Sequence, residues 1–375
     1  MKFSYTHHMP YTDIGEIGQD WPFPNKQFDP EKGVALYREY IDNKVFAEKC
    51  GFDWIGCNEH HMSPYGLMPN PNLTAAAVIE RTETAGILQS GNIVPLTNPI
   101  RIAEEYAMLD VQSGGRLIAG FMRGIPHEYV AYNVSPDDSY PRMREACELI
   151  LKCWTEPEPF GWEGEFYQYR AISIWPRPVQ QPHPRLLMSG SSPDSVSLAA
   201  KFRATIGLLR ITDFESAREL RDMYIDLAAK DGWEPGPDHF MVGMPCSIAD
   251  TVEEAMETLR SGTKFFLGVL GGGIRTAQRI VLQKTRYYRE EAHKERFPGL
   301  AIANRRETPL EEMMEKGLVL CGTPDMVIDQ VKRAKDELGH GLMNLNIKIG
   351  NTPQAAVLKT MQHLRDTVFP AVRDV

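Results

Sequence analysis

The sequence predicts an α/β protein built as a closed eight-stranded parallel (β/α)8 barrel. Eight short apolar runs between Phe3 and Ile347 alternate with amphipathic helical stretches. No shift in composition along the 375 residues marks a linker. Parallel strands joined by crossover helices close into barrels of about 250 to 400 residues, so residues 1–375 are read as one domain. A doubly wound open sheet is the alternative for the same alternation. Costly ionisable and hydroxyl residues gather just past the strands, where barrels of this kind keep their active sites.

Phe3 and Tyr5 alternate with polar residues as a first strand. A Pro- and Gly-rich loop from Pro10 to Gly33 follows, long enough that it should pack over a site or a partner. Tyr37, Ile41 and Val45 recur every four residues, giving a helix that ends near Cys50-Gly51. Phe52 to Ile55 is the second strand, and it runs into Glu59-His60-His61 and the loop residues Pro64 and Gly66. Helix Thr74–Ala85, strand Ile87–Leu96, a helix from Asn98-Pro99 through Leu109, strand Leu117–Phe121 and helix Met143–Trp154 continue the rhythm. Residues 160–184 break it. Gly161, Gly164 and four prolines punctuate Trp162, Phe166, Tyr167, Tyr169 and Trp175, which reads as an inserted hairpin and loop.

Leu186–Met188, helix Pro193–Phe202, strand Thr205–Leu209, a helix to Ala229, strand Met241–Met244 and helix Thr251–Leu259 restore the alternation. A second insertion spans 263–317 and contains Gly271-Gly272-Gly273. Strand Met343–Ile347 and helix Pro353–Leu364 close the chain.

Hydrophobic residues make up 42% and charged residues 24%, as in soluble globular chains. With a net charge of -9 and no basic stretch, nucleic-acid binding is not expected. Neither a signal peptide nor a membrane span is expected, which points to the cytoplasm. The six cysteines form no CxxC pair, so they read as buried free thiols.

Glu59, His60 and His61 stand at the carboxyl end of a buried strand, either as working groups or as a satisfied hydrogen-bonded cluster. Adjacent histidines on an extended segment point apart and rarely share a metal. Arg123, between Met122 and Gly124, is a permanent cation past the fourth strand, suited to an anionic ligand or to a rim ion pair. Ser189-Gly190-Ser191-Ser192-Pro193-Asp194-Ser195 is a small turn feeding a helix. Its N–H groups can hold a phosphate, and Ser192 can equally cap the helix with Pro193 in first position. No GxSxG elbow and no phosphate-binding P-loop is present.

Taken together, several motifs resemble the bacterial luciferase-like flavin monooxygenases. They are Glu59-His60-His61 with Gly66-Leu67 and Asn70-Pro71, then Pro95-Leu96-Thr97-Asn98-Pro99-Ile100-Arg101, Leu109-Asp110 and Ser113-Gly114-Gly115-Arg116. Gly120-Phe121-Met122-Arg123-Gly124, Ser189-Gly190-Ser191-Ser192, Gly322-Thr323-Pro324 and Val368-Phe369-Pro370 follow in family order. The resemblance implies a barrel that takes reduced flavin mononucleotide (FMNH2) from a separate flavin reductase. It further implies a flavin peroxide formed with O2, insertion of one oxygen atom into a hydrophobic organic substrate, and a homodimer.

On this resemblance His60 is the catalytic histidine, with Glu59 beside it either orienting a ring or structural. Arg123 binds flavin, and Ser189, Gly190, Ser191, Ser192 and Ser195 form the phosphate segment. A Ser-Arg pair common in the family is here Ser139-Tyr140, so Tyr140 or Arg142 would substitute for the arginine. Histidine titrates near neutral pH, so His60 would exchange one proton in the cycle. Residues 263–317 fall where the family carries a mobile lid, with the glycine run as a hinge. The same motifs allow a deazaflavin-dependent dehydrogenase or a non-catalytic flavin-binding relative. The aromatic insertion and the early loop suggest a hydrophobic or ring-bearing substrate.

Overall fold

Eight parallel strands close on themselves. They are β1 (Lys2–Thr6), β2 (Trp54–Asn58), β3 (Gly86–Ser90), β4 (Leu117–Phe121), β7 (Arg185–Ser189), β8 (Thr205–Leu208), β9 (Phe240–Ile248) and β11 (Leu342–Asn346). They pair in that order, and β11 returns to β1, so the alternation becomes a barrel and not an open sheet. The computed structural model describes residues 1–15, 21–280, 285–286 and 308–374. β5 (Phe160–Glu163) and β6 (Gln168–Ile172) form the antiparallel hairpin expected of the aromatic insertion. β10 (Leu320–Gly322), which the sequence reading passed over, extends the barrel by pairing with the far end of β9.

The described helices are α1 (Pro30–Lys49), α2 (Pro71–Ile79), α3 (Pro99–Gln112), α4 (Pro126–Ala131), α5 (Pro136–Thr155), α6 (Pro193–Lys201) and α7 (Phe214–Lys230). α8 (Val252–Ile280), α9 (Leu310–Glu315), α10 (Pro324–Leu338), α11 (Gln354–His363) and α12 (Phe369–Val372) follow. Five of the starts follow one local rule. Asp29, Asn70, Asn98, Ser135 and Ser192 each accept backbone N–H bonds from the first turn, with proline in first position behind them. That is why α2 and α5 begin earlier than periodicity alone suggested.

α8 departs most from expectation. The helix expected to end at Leu259 runs on to Ile280, so Gly271, Gly272 and Gly273 lie within it. A Cβ on Gly273 would sit 3.3 Å from Nδ1 of His127 and 3.5 Å from the Trp21 ring, so this glycine lets α8 pack closely on α4 and the early loop. Ile14 and Phe23 of that loop also pack on the α8 cluster of Phe265, Val269 and Leu270. Of the expected lid, residues 281–284 and 287–307 lie outside the described residues, and α9 falls in its last part.

Side chains alternate across each strand. Trp54, Leu88, Ile118, Leu187, Met241 and Leu342 form a buried apolar plug with one residue from each of six barrel strands. Two positions further on, the same face carries Gly56, Ser90, Gly120, Ser189, Gly243 and Asn344. The barrel therefore changes from apolar and full to small and polar toward its carboxyl end, which leaves room for a cavity. Gly120 is the tightest point, because a Cβ there would lie 1.6 Å from the backbone oxygen of Gln89. Gly120→Ala should destabilise the fold by about 3 kcal/mol or more, since backbone must move. Urea unfolding beside the uncrowded control Gly236→Ala checks this, and equal midpoints for the two variants would refute it.

Candidate functional site

A cavity of about 420 Å³ opens at the carboxyl ends of the strands, and every barrel strand or the loop behind it contributes to the wall. Thr6 and His8 come from β1, Asn58, Glu59, His60 and Tyr65 from β2, and Ser90 and Ile93 from β3. Met122 and Arg123 follow β4, while Met188 and Ser189 end β7 and Ser191, Ser192 and Ser195 follow it. Leu209 and Arg210 follow β8, Gly243 and Met244 lie on β9, and Asn344 and Asn346 on β11. Phe266, Leu267 and Leu270 of α8 line it from a helix.

Of the residues singled out in the sequence, His60, Glu59, Arg123, Tyr140, Ser189, Ser191, Ser192 and Ser195 share this cavity. Two do not line it. Gly190 turns the chain against Leu208 and Ile206. Arg142 lies over the Phe166 and Tyr167 rings, 5.5 and 5.2 Å from their centroids, because the hairpin offers its guanidinium two aromatic faces. The other aromatics of the insertion named for substrate recognition, Trp162 and Trp175, are absent from the wall as well. Trp162 donates to Glu145 and Trp175 stands 87% exposed.

The two carboxylates in the wall serve different histidines. Glu59 accepts from Ile93 N–H at 2.7 Å and lies 2.7 Å from Nε2 of His61, whose Nδ1 meets the Tyr132 hydroxyl at 2.9 Å. Glu59 thus holds its second neighbour and the β3 loop, the satisfied cluster that the sequence left open. His60 turns the other way, placing Nδ1 3.1 Å from Oε1 of Glu128, a fully buried carboxylate on α4. The His60 ring is packed between Tyr65, at 4.9 Å between centroids, and His8, at 5.2 Å.

Burial, and then the neighbouring His61, push His60 down to about 3. The near-neutral titration expected from sequence is therefore not met, and His60 is a neutral imidazole at pH 7. Burial drives His8 to about 3 as well. Burial raises Glu128, against which the Ile125 N–H and the nearby histidines work. Sequence reading missed Glu128, although its signal was present: it lies five residues past Arg123, just after a strand end. The six-residue α4 is too short for helical periodicity to show.

The serine turn satisfies itself. Ser192 accepts from Ser195 N–H at 3.3 Å and gives its own N–H to Ser195 Oγ at 3.0 Å, which is the expected cap, and Ser189 and Ser191 pair at 2.9 Å. Tyr140 donates to the Asp194 carbonyl and braces the turn from α5. The hydroxyls and the positive end of α6 suit a phosphate, as does Arg123 in the same wall. The Asp194 carboxylate in the first turn opposes an anion.

The barrel floor adds a further fit to flavin. Asn58 Oδ1, Ser90 Oγ and Asn346 Oδ1 are buried with no hydrogen-bond partner, although their residues line the cavity. Orphaned acceptors are costly unless a ligand supplies donors. A heterocycle with a polar edge, an apolar edge against Met122, Met188 and Met244, and a phosphate tail matches this wall. Among the described residues no cluster suited to a metal occurs and no helix is long and apolar enough to cross a membrane.

The chain is 32% identical over 194 residues to the uncharacterized protein y4wF of Sinorhizobium fredii, covering 49% of this chain and 56% of that one. It is 29% identical over 176 residues to the oxygenase component of a flavin-dependent trigonelline monooxygenase from Acinetobacter baylyi, covering 46% and 48%. The chain thus spans about half the length of these relatives. In fold it matches the oxygenating constituent of 3,6-diketocamphane monooxygenase from Pseudomonas putida, a type II Baeyer-Villiger monooxygenase in complex with FMN. The TM-score is 0.73 at 18% identity, over 99% of each chain. It also matches an F420-dependent secondary alcohol dehydrogenase, with TM-score 0.69 at 16% identity, over 90% of this chain and 96% of that one. Residues 23–340 match the sequence profile of the luciferase-like monooxygenases, and the chain belongs to that family.

Proposed function

We propose that this protein is the oxygenase component of a two-component flavin monooxygenase, using reduced FMN from a separate reductase and O2 to insert one oxygen atom into a hydrophobic organic substrate. The observation that carries the reading is that His60, Arg123 and the serine turn, remote in sequence, line one cavity with a polar floor. Bound reduced FMN would supply the two electrons that divide O2 between product and water. Ser189, Ser191, Ser192, Ser195 and Arg123 would hold its phosphate, and Asn58, Ser90 and Asn346 its polar edge. Met122, Met143, Met188, Met244, Leu267 and Leu270 keep water scarce around the reacting atoms. These adaptable side chains, and not the hairpin aromatics, would contact the substrate. His60 would accept or hold a proton at Nε2, the ring nitrogen not engaged by Glu128. A homodimer in the cytoplasm completes the reading.

The F420-dependent neighbour keeps a deazaflavin dehydrogenase as the competing reading. Anaerobic titration with reduced FMN and, separately, with a reduced deazaflavin cofactor decides between them. Binding of reduced FMN at micromolar concentration, followed by transfer of one atom of labelled O2 to a substrate from a panel of apolar ketones, aldehydes and ring compounds, is the expected outcome. Preferential deazaflavin binding would replace the proposal with the competing reading, and binding of neither would remove both.

A further inference from the structure

We propose that Glu128 is a positioning residue that holds His60 as the tautomer protonated on Nδ1, so that Nε2 keeps its lone pair for the molecule in the cavity. The turn after β4 is built to deliver this carboxylate. Gly124 adopts φ +100, and a Cβ there would lie 2.8 Å from the Ile93 side chain and 3.3 Å from Oε2 of Glu128. Only glycine accepts both the conformation and the contact. The Tyr129 hydroxyl then ties α4 back to the carbonyls of Arg123 and Gly124 at 3.1 and 3.2 Å. One turn therefore places both Arg123 and the buried carboxylate.

Both oxygens of Glu128 are directed at donors. Oε2 accepts the Ile125 N–H at 2.8 Å, and Oε1 lies 3.1 Å from Nδ1 of His60. The Ile125 N–H on Oε2 favours the ionised carboxylate, which has only acceptors, and against that form the proton in the second contact sits on Nδ1. The ring cannot turn away from it. Tyr65 and His8 pack on the His60 ring, and a Cβ on Gly66 would come within 3.2 Å of the His60 Cβ, so the loop closes tightly over its base. A carboxylate that fixes an imidazole tautomer from behind sets whether the front nitrogen accepts or donates a proton. The alternative arrangement, a protonated Glu128 donating to Nδ1, would leave Nε2–H as a donor.

The test is nitrogen NMR of the full chain carrying labelled histidine and no flavin, with the His60 signals identified by their loss in His60→Asn. The wild-type protein should show a protonated Nδ1 and an unprotonated Nε2. In Glu128→Gln the amide can donate to Nδ1, so the pattern should shift toward Nε2–H. With reduced FMN and substrate, kcat should then fall about 10²- to 10⁴-fold, the range of a misplaced acid-base group, while the substrate KM and the FMN affinity stay within about threefold. Glu128→Asp, too short to reach Nδ1 from the same backbone, should not restore kcat. Nε2–H in the wild-type spectrum overturns the proposal whether or not any variant folds. An unchanged tautomer and kcat in Glu128→Gln overturns it too. The kinetic half rests on the flavin-oxygenase reading and the spectrum does not, so the expected tautomer in a protein that ignores reduced FMN would sink that reading alone.

Discussion

His60→Asn is expected to lower kcat for oxygen transfer by about 10²- to 10⁴-fold and to leave the affinity for reduced FMN nearly unchanged. His60 lines the cavity as a neutral ring anchored at Nδ1, while the groups suited to the flavin phosphate, Arg123 and the serine turn, come from the ends of β4 and β7. Loss of the ring removes a proton acceptor and also a piece of the wall between His8 and Tyr65. More of the reducing equivalents should then escape as hydrogen peroxide. Single-turnover mixing of the reduced flavin complex with oxygenated buffer, with peroxide and product measured together, checks both parts. A variant that couples as well as the wild type would remove His60 from the chemistry. Because burial holds the His60 proton equilibrium near 3, the rate should show no inflection from this group between pH 6 and 9 in the free protein.

Acid should unfold this protein earlier than its net charge suggests. His127 and His340 are fully buried, and burial lowers them to about 4 and about 3; His7, equally buried, is also lowered. In the unfolded chain each titrates near 6.5. Between those values the unfolded chain takes up protons that the folded one refuses, so stability falls as pH drops below about 6.5 and the loss is complete only below the folded value. At pH 5 the difference amounts to about 2 kcal/mol for each of His127 and His340. Two such groups, with His7 acting in the same direction, approach the lower end of the ~5–15 kcal/mol that holds a typical domain together. Glu128 works in the opposite direction, because burial raises it and its protonation favours the folded state. Urea unfolding at pH 7 and pH 5 should show a loss of several kcal/mol, and His340→Leu should recover about 2 kcal/mol of it. A flat profile, or one that His340→Leu leaves unchanged, would show that these imidazoles find partners or water.

Local chemistry made much of this protein readable. Asn98 before Pro99, and Ser192 before Pro193, announce helix starts wherever they occur, because a side-chain acceptor satisfies orphan N–H groups within three residues. The eight apolar runs announce strands for the same local reason. α8 was misjudged because three successive glycines look like a break when seen alone. They become tolerable in a helix when His127, Trp21 and a packed neighbour demand close approach. Arg142 was misassigned because a guanidinium has no local preference between a phosphate and an aromatic face, and the Phe166 and Tyr167 faces arrive from a hairpin more than twenty residues away.

By itself the sequence determined the barrel, and it determined that His60, Arg123 and the serine turn follow the carboxyl ends of parallel strands, since chain direction carries such residues to one rim. Only the tertiary structure decided which partner each group took. His60 faces Glu128 across 68 residues of chain while Glu59 serves the adjacent His61, and Asn58, Ser90 and Asn346 are left facing a cavity without partners. Burial and pairing depend on what other segments bring near a side chain, and no short-range pattern in the chain records that.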